Sequence, residues 1–91
     1  PVQVFEHVYQ TVIDRKNNPK EGSYTNYLFE QGQDKILKKI GEEATGIVIA
    51  AKNQNPEELK SEMADFIYHA MVLMIEKGIT WEDVTNQLLQ K

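Results

Sequence analysis

The sequence has no cysteine, only three prolines and five glycines, a single tryptophan and no long uninterrupted apolar run. Without cysteine, disulfides and thiolate chemistry are excluded, which fits a cytoplasmic setting. With proline and glycine scarce, 41% apolar and 26% charged residues describe a folded, soluble chain and not a disordered one. The longest mainly apolar stretch, Met63 to Ile75, covers 13 residues and contains Asp65 and His69, too short and too polar at its centre to cross a bilayer. No signal sequence is visible at an N-terminus that opens on Pro1. An excess of positive charge is missing too. At a net charge of −4 there is no general attraction to nucleic acid or to an anionic membrane, so a phosphate-bearing ligand must be met by a local basic cluster or a metal.

What is present reads as one domain over residues 1–91, all-α, a small bundle of four to five helices. Period-2 alternation is nowhere long enough for a strand. A first helix is predicted over about Val2–Asn17, with Phe5, Val8, Tyr9, Val12 and Ile13 at helical spacing and Pro19 ending it. Ser23 caps a short helix over Tyr24–Glu30, stopped by Gly32. A long helix follows over about Asp34–Asn53, with Ile36, Ile40, Ala44, Ile47 and Ala51 as its apolar arc. Pro56, Glu57 and Glu58 open the next, which runs to Lys77 and is capped by Gly78. Thr80 starts a last helix to about Gln90, with Trp81 packing near its start and Val84, Leu88 and Leu89 turned inward. Short connections imply antiparallel neighbours. A chain of this size buries only roughly 60–65% of its unfolded surface, which favours self-association.

Chemistry-bearing residues concentrate on the two long helices. Lys35, Lys39, Glu42 and position 46 share one stripe at about 100° per residue, with Lys38 and Glu43 at its edges. A solvated face of Lys–Glu pairs explains this as well as a ligand site does. On the next helix Glu62, Asp65 and His69 share a stripe, and Asp65 lies in a segment apolar nearly all round, which predicts burial. A buried carboxylate needs a cation: a lysine across the bundle, or a metal gathered with Glu42 and Glu43. Oxygen ligands without cysteine favour Mg²⁺ or Mn²⁺ over zinc. His69 alone reads more simply as a core or rim histidine than as a ligand, and Met63, Met71 and Met74 as core filling.

Ser23-Tyr24-Thr25, Leu28, Phe29, Gly32, Asp34-Lys35-Ile36, Lys38-Lys39-Ile40-Gly41-Glu42-Glu43-Ala44-Thr45, Ala50-Ala51-Lys52-Asn53 and Glu62-Met63-Ala64-Asp65-Phe66-Ile67-Tyr68-His69, in this order, resemble the phosphoribosyl-ATP pyrophosphohydrolases. The resemblance covers about residues 5 to 80. That family is one of the MazG-like all-α nucleotide pyrophosphohydrolases, whose signature is two adjacent glutamates, a third glutamate three residues on, and a later Glu-x-x-Asp. Glu42, Glu43, Glu62 and Asp65 match it, whereas Gly46 stands where the third glutamate belongs.

The resemblance implies a hydrolase of histidine biosynthesis that splits phosphoribosyl-ATP into phosphoribosyl-AMP and pyrophosphate, a Mg²⁺-dependent, cytoplasmic homodimer. By the same resemblance Glu43, Glu62 and Asp65 hold the metal, Glu42 and Glu43 are catalytic, and Ser23, Tyr24, Thr25, Lys35, Lys38, Lys39, Lys52 and His69 meet substrate. Gly46, a glycine in mid-helix that removes a carboxylate, implies reduced activity. Two alternatives share the fold: a pyrophosphohydrolase that cleanses the nucleotide pool, and a catalytically silent nucleotide-binding or interaction domain, which only Gly46 supports.

Overall fold

The computed structural model describes residues 1–91 as five helices without strands: α1 (Val2–Asn17), α2 (Tyr24–Gln31), α3 (Gln33–Lys52), α4 (Pro56–Lys77) and α5 (Trp81–Leu89). Ser23, Thr80 and Gly78 act as the caps that the sequence predicts, and Asn55 is a further one. Ser23 Oγ accepts from Asn26 N–H to start α2, Asn55 Oδ1 accepts from Glu58 N–H ahead of Pro56 to start α4, and Thr80 and Asp83 form a reciprocal capping box for α5. Gly78 ends α4 in the left-handed conformation, φ 73°, with backbone bonds back to Ile75 and Met74 carbonyls.

α3 and α4 form the central hairpin. Asn53, Gln54 and Asn55 reverse the chain, with Gln54 itself at φ 54°, and the helices then run antiparallel in a register readable from their cross-contacts. Gly46 lies opposite Glu62, Glu43 opposite His69, and Gln33 opposite Lys77. α1 and α2 cover the half of the hairpin holding the C-terminal end of α4. There Val12, Leu28, Ile36 and Val72, one from each of four helices, make a fully buried cluster, flanked by a second of Tyr9, Met71 and Met74.

The other half of the hairpin has only its own two helices, which corrects several expectations. Asp65 is exposed, not buried, because the apolar residues around it are exposed as well, Met63 by 49% and Ile67 by 37%. Met63 therefore fills no core, unlike Met71 and Met74. On α3, Ala44 and Ala51 face solvent, and the inward line is Ile36, Ile40, Glu43, Ile47 and Ala50. Val84, Leu88 and Leu89 of α5 also point outward. That helix is anchored through its first turn alone, by Trp81 packed on Phe5 and Tyr9 and by a bond from Trp81 N–H to Tyr9 Oη (3.1 Å).

Leu28 is fully buried and is the only member of the four-helix cluster on α2, an eight-residue helix too short to persist unpacked. Leu28→Ala is expected to lower stability by about 3 kcal/mol, read from the midpoint of urea unfolding.

Candidate active site

The polar centre lies where the start of α2 meets the middle of the α3–α4 hairpin. His69 Nδ1 is 2.7 Å from Glu43 Oε1 and 3.0 Å from the Asp65 carbonyl oxygen. Both neighbours are acceptors, so the network assigns the proton to Nδ1. In the neutral ring Nε2 then accepts, and the Tyr24 hydroxyl, 3.1 Å away, donates to it. Partial burial raises the pKa of that hydroxyl, and the charges near it, Glu43 and Asp65 among them, raise it further, so Tyr24 keeps the proton this chain needs. The result is a directed chain, Tyr24 to His69 to Glu43, crossing three helices. His69 and Glu43 are buried, 5% and 9% exposed, yet Glu43 Oε2 has no protein partner and no buried polar atom is left unsatisfied, so Oε2 retains solvent contact.

Beside this chain the Thr25 and Tyr68 hydroxyls are hydrogen-bonded, and the Tyr24 ring stacks between those of Tyr27 and Tyr68. Burial raises the pKa of the Tyr68 hydroxyl, with the Thr25 bond opposing. Ser23, Tyr24 and Thr25 are therefore fastened to α4 or spent on the α2 cap.

Glu62 lies half-buried against Gly46. Its partial desolvation, followed by the charges of Glu58, Asp65 and Glu43, raises its pKa above the ordinary 4.5. Glu43 and Asp65 thus each lie within electrostatic reach of Glu62. Glu42 is exposed and is not among the charges acting on Glu62 or Tyr24. No three acidic or histidine side chains close to metal-ligating distance. No lysine pairs with these acids: the ion pairs are Arg15–Asp14, Lys16–Glu76, Lys60–Glu57 and His69–Glu43. Neither the Lys–Glu ladder expected along α3 nor a lysine partner for Asp65 is formed. Lys38 and Lys52 are exposed, Lys39 is half-buried, and Lys35 Nζ stands 5.9 Å from the Tyr27 ring centroid.

Sequence reasoning did not single out Tyr68 or Glu58, nor did it pair His69 with Glu43. The short Asn53–Asn55 turn is the signal that would have found the pair, since it places each residue of α3 opposite one of α4.

Removing His69 leaves a buried carboxylate without its donor. His69→Ala is expected to cost about 2–3 kcal/mol in urea unfolding. Glu62 acts in the opposite sense. Its folded pKa is raised, so the folded chain binds the proton more tightly, and stability declines as pH rises from 4.5 through the folded value. Glu62→Gln is expected to raise the melting temperature at pH 7 in EDTA, with the gain vanishing below about pH 4, where carboxylates are protonated in both states.

Comparison with known proteins adds an independent finding. Residues 5–91 match the family described as phosphoribosyl-ATP pyrophosphohydrolase. The phosphoribosyl-ATP pyrophosphatase of Clostridium novyi (strain NT) is 55% identical over 87 residues, 96% of this chain and 79% of the relative. That of Limosilactobacillus fermentum (strain NBRC 3956 / LMG 18251) is 55% identical over 87 residues, 96% of this chain and 82% of the relative. A longer relative, the histidine biosynthesis bifunctional protein HisIE of Caldanaerobacter subterraneus subsp. tengcongensis, is 55% identical over 87 residues, and the chain covers 42% of it. With a match across nearly its whole length and relatives of this identity, the chain is a member of the phosphoribosyl-ATP pyrophosphohydrolase family.

Proposed function

We propose that this chain hydrolyses phosphoribosyl-ATP to phosphoribosyl-AMP and pyrophosphate, the second step of histidine biosynthesis, with Mg²⁺ as cofactor. Family membership supports the reaction class. The observation that carries the site is a group of carboxylates, Glu43, Glu62 and Asp65, that no lysine or arginine neutralises, on a hairpin whose α3 also carries lysines without an ion-pair partner.

The donor set fits a hard divalent cation. All three are carboxylates, Glu43 Oε2 is free, and Glu62 and Asp65 have no competing partner. Mg²⁺ commonly takes one or two protein carboxylates and fills its other positions with water and phosphate, so a set that does not close by itself is compatible with it. Glu43, Glu62 and Asp65 would hold the ion. When bound it supplies charge neutralisation at the phosphates and acidifies the attacking water.

The residues of the chain account for the remaining tasks. Glu43 is held in one orientation by His69, which aims its one open oxygen at the ion. Glu42, on the outer side, is then the carboxylate left to take the proton of a water placed against the scissile phosphate. Lys35, Lys38, Lys39 and Lys52 meet the phosphates and stabilise the leaving pyrophosphate. The Ser23–Thr25 segment frames the substrate side of the site, while His69 acts through Glu43 and does not touch the substrate.

The same reading makes the protein a cytoplasmic homodimer. Val48, Ile49, Met63 and Ile67 leave an apolar surface on the uncovered half of the hairpin, and Phe5, Val8, Ala64, Ile67, Tyr68 and Met71 line an open, wholly apolar groove of about 310 Å³. No helix is long and apolar enough to cross a membrane.

The test is pyrophosphate release from phosphoribosyl-ATP. Release is expected with Mg²⁺ and not in EDTA, and Gly46→Glu is expected to raise kcat several-fold by restoring a carboxylate. An equal rate in the variant refutes the idea of reduced activity. Silence from both proteins points to the binding-domain alternative.

A further inference from the structure

His69 has one proton to give at Nδ1 and two acceptors that compete for it: Glu43 Oε1 of α3 at 2.7 Å, and the Asp65 carbonyl, one turn back on α4, at 3.0 Å. A ring held at that nitrogen alone could pivot and settle on the carbonyl of its own helix, leaving Glu43 free to swing. The stop is on the far side of the ring. There the Tyr24 hydroxyl donates to Nε2 across 3.1 Å, so the imidazole is fixed at both nitrogens.

Tyr24 is itself a firm support. It is the first residue of α2, directly behind the Ser23 cap. The buried Asn26 ties that turn to α1 and the loop after it, accepting from Lys20 N–H and donating to the Arg15 carbonyl, while Thr25 ties it to Tyr68 of α4. The Tyr24 hydroxyl has a single proton, and it is spent on His69. Given to a substrate phosphate instead, it would leave Nε2, on a ring only 5% exposed, without its donor.

We propose that Tyr24 is a positioning residue: its hydroxyl keeps His69 turned to Glu43, and so aims the Glu43 oxygen that meets the cation. The link to the cation rests on the reading of Glu43 given above; the hold on His69 does not. Tyr24 is 45% exposed, so its ring can border the substrate while its hydroxyl serves the buried histidine.

Tyr24→Phe keeps the ring and removes only the bond. Tyr68→Phe is its control, because it removes the neighbouring bond between the same two helices and leaves the partners of His69 in place. In EDTA, NMR is expected to show the His69 Nδ1 proton in the wild-type chain, and to show it exchanging with water several-fold faster in Tyr24→Phe. Mn²⁺ affinity without substrate, read by electron paramagnetic resonance, is expected to fall about three- to ten-fold in Tyr24→Phe, the share of one neutral hydrogen bond, and to stay within about two-fold in Tyr68→Phe. In a His69→Ala background, adding Tyr24→Phe is expected to change nothing further. Equal exchange in the two chains, or no Nδ1 proton in the wild type, overturns the hold on His69. Unchanged Mn²⁺ affinity in Tyr24→Phe overturns its link to the cation, and so does an equal loss in Tyr68→Phe, which would mean that the docking of α2 alone matters. A wild-type chain that binds no Mn²⁺ overturns the cation reading, while the exchange rates still decide the hold.

Discussion

The register between α3 and α4 is the constraint on which the other features depend. A three-residue turn, with Gln54 in the left-handed region and Pro56 opening the next helix, leaves one way for the two helices to lie side by side. That alignment brings Glu43 against His69 and Glu62 into the gap at Gly46. A slip of one residue on either helix would rotate a buried carboxylate away from its only donor, at a cost of a few kcal/mol. The register is thus held by a polar seam as well as by the apolar residues beside it, and the seam is where chemistry gathers.

The bundle is unevenly covered. α1 and α2 lie against one half of the hairpin and complete a core there, while the other half carries its apolar residues outward. Acidic side chains stand near the boundary between these halves. Such a site is well held on one side by His69, Tyr24 and Tyr68, and open on the other, as a small domain must be if it is to admit a multiply charged ligand.

Helices and caps were legible in the sequence because they depend on local chemistry. Ser23, Thr80 and Gly78 act within one turn of chain, and each is found where its residue type predicts. Burial was less legible. The segment around Asp65 looks buried because its neighbours are apolar, but apolarity says that a surface needs cover, not which chain supplies it. The outward Leu88 and Leu89 failed the same test. Within the site, the acids could be picked out one by one. Their partners could not, since the His69–Glu43 bond and the Glu62–Gly46 contact depend on two helices being aligned to within one residue. Gly46 read from sequence is a missing carboxylate, whereas in three dimensions the space it leaves holds one.

The joint between α5 and the rest of the bundle has a practical consequence. The only tryptophan of the chain is Trp81, stacked on Phe5 and donating its backbone N–H to the Tyr9 hydroxyl oxygen, at the place where α5 is fastened. Its fluorescence therefore reports the release of a terminal helix, an event that local opening can produce while the α3–α4 hairpin remains intact. An emission change and a loss of helical signal in this protein are reports on two different places.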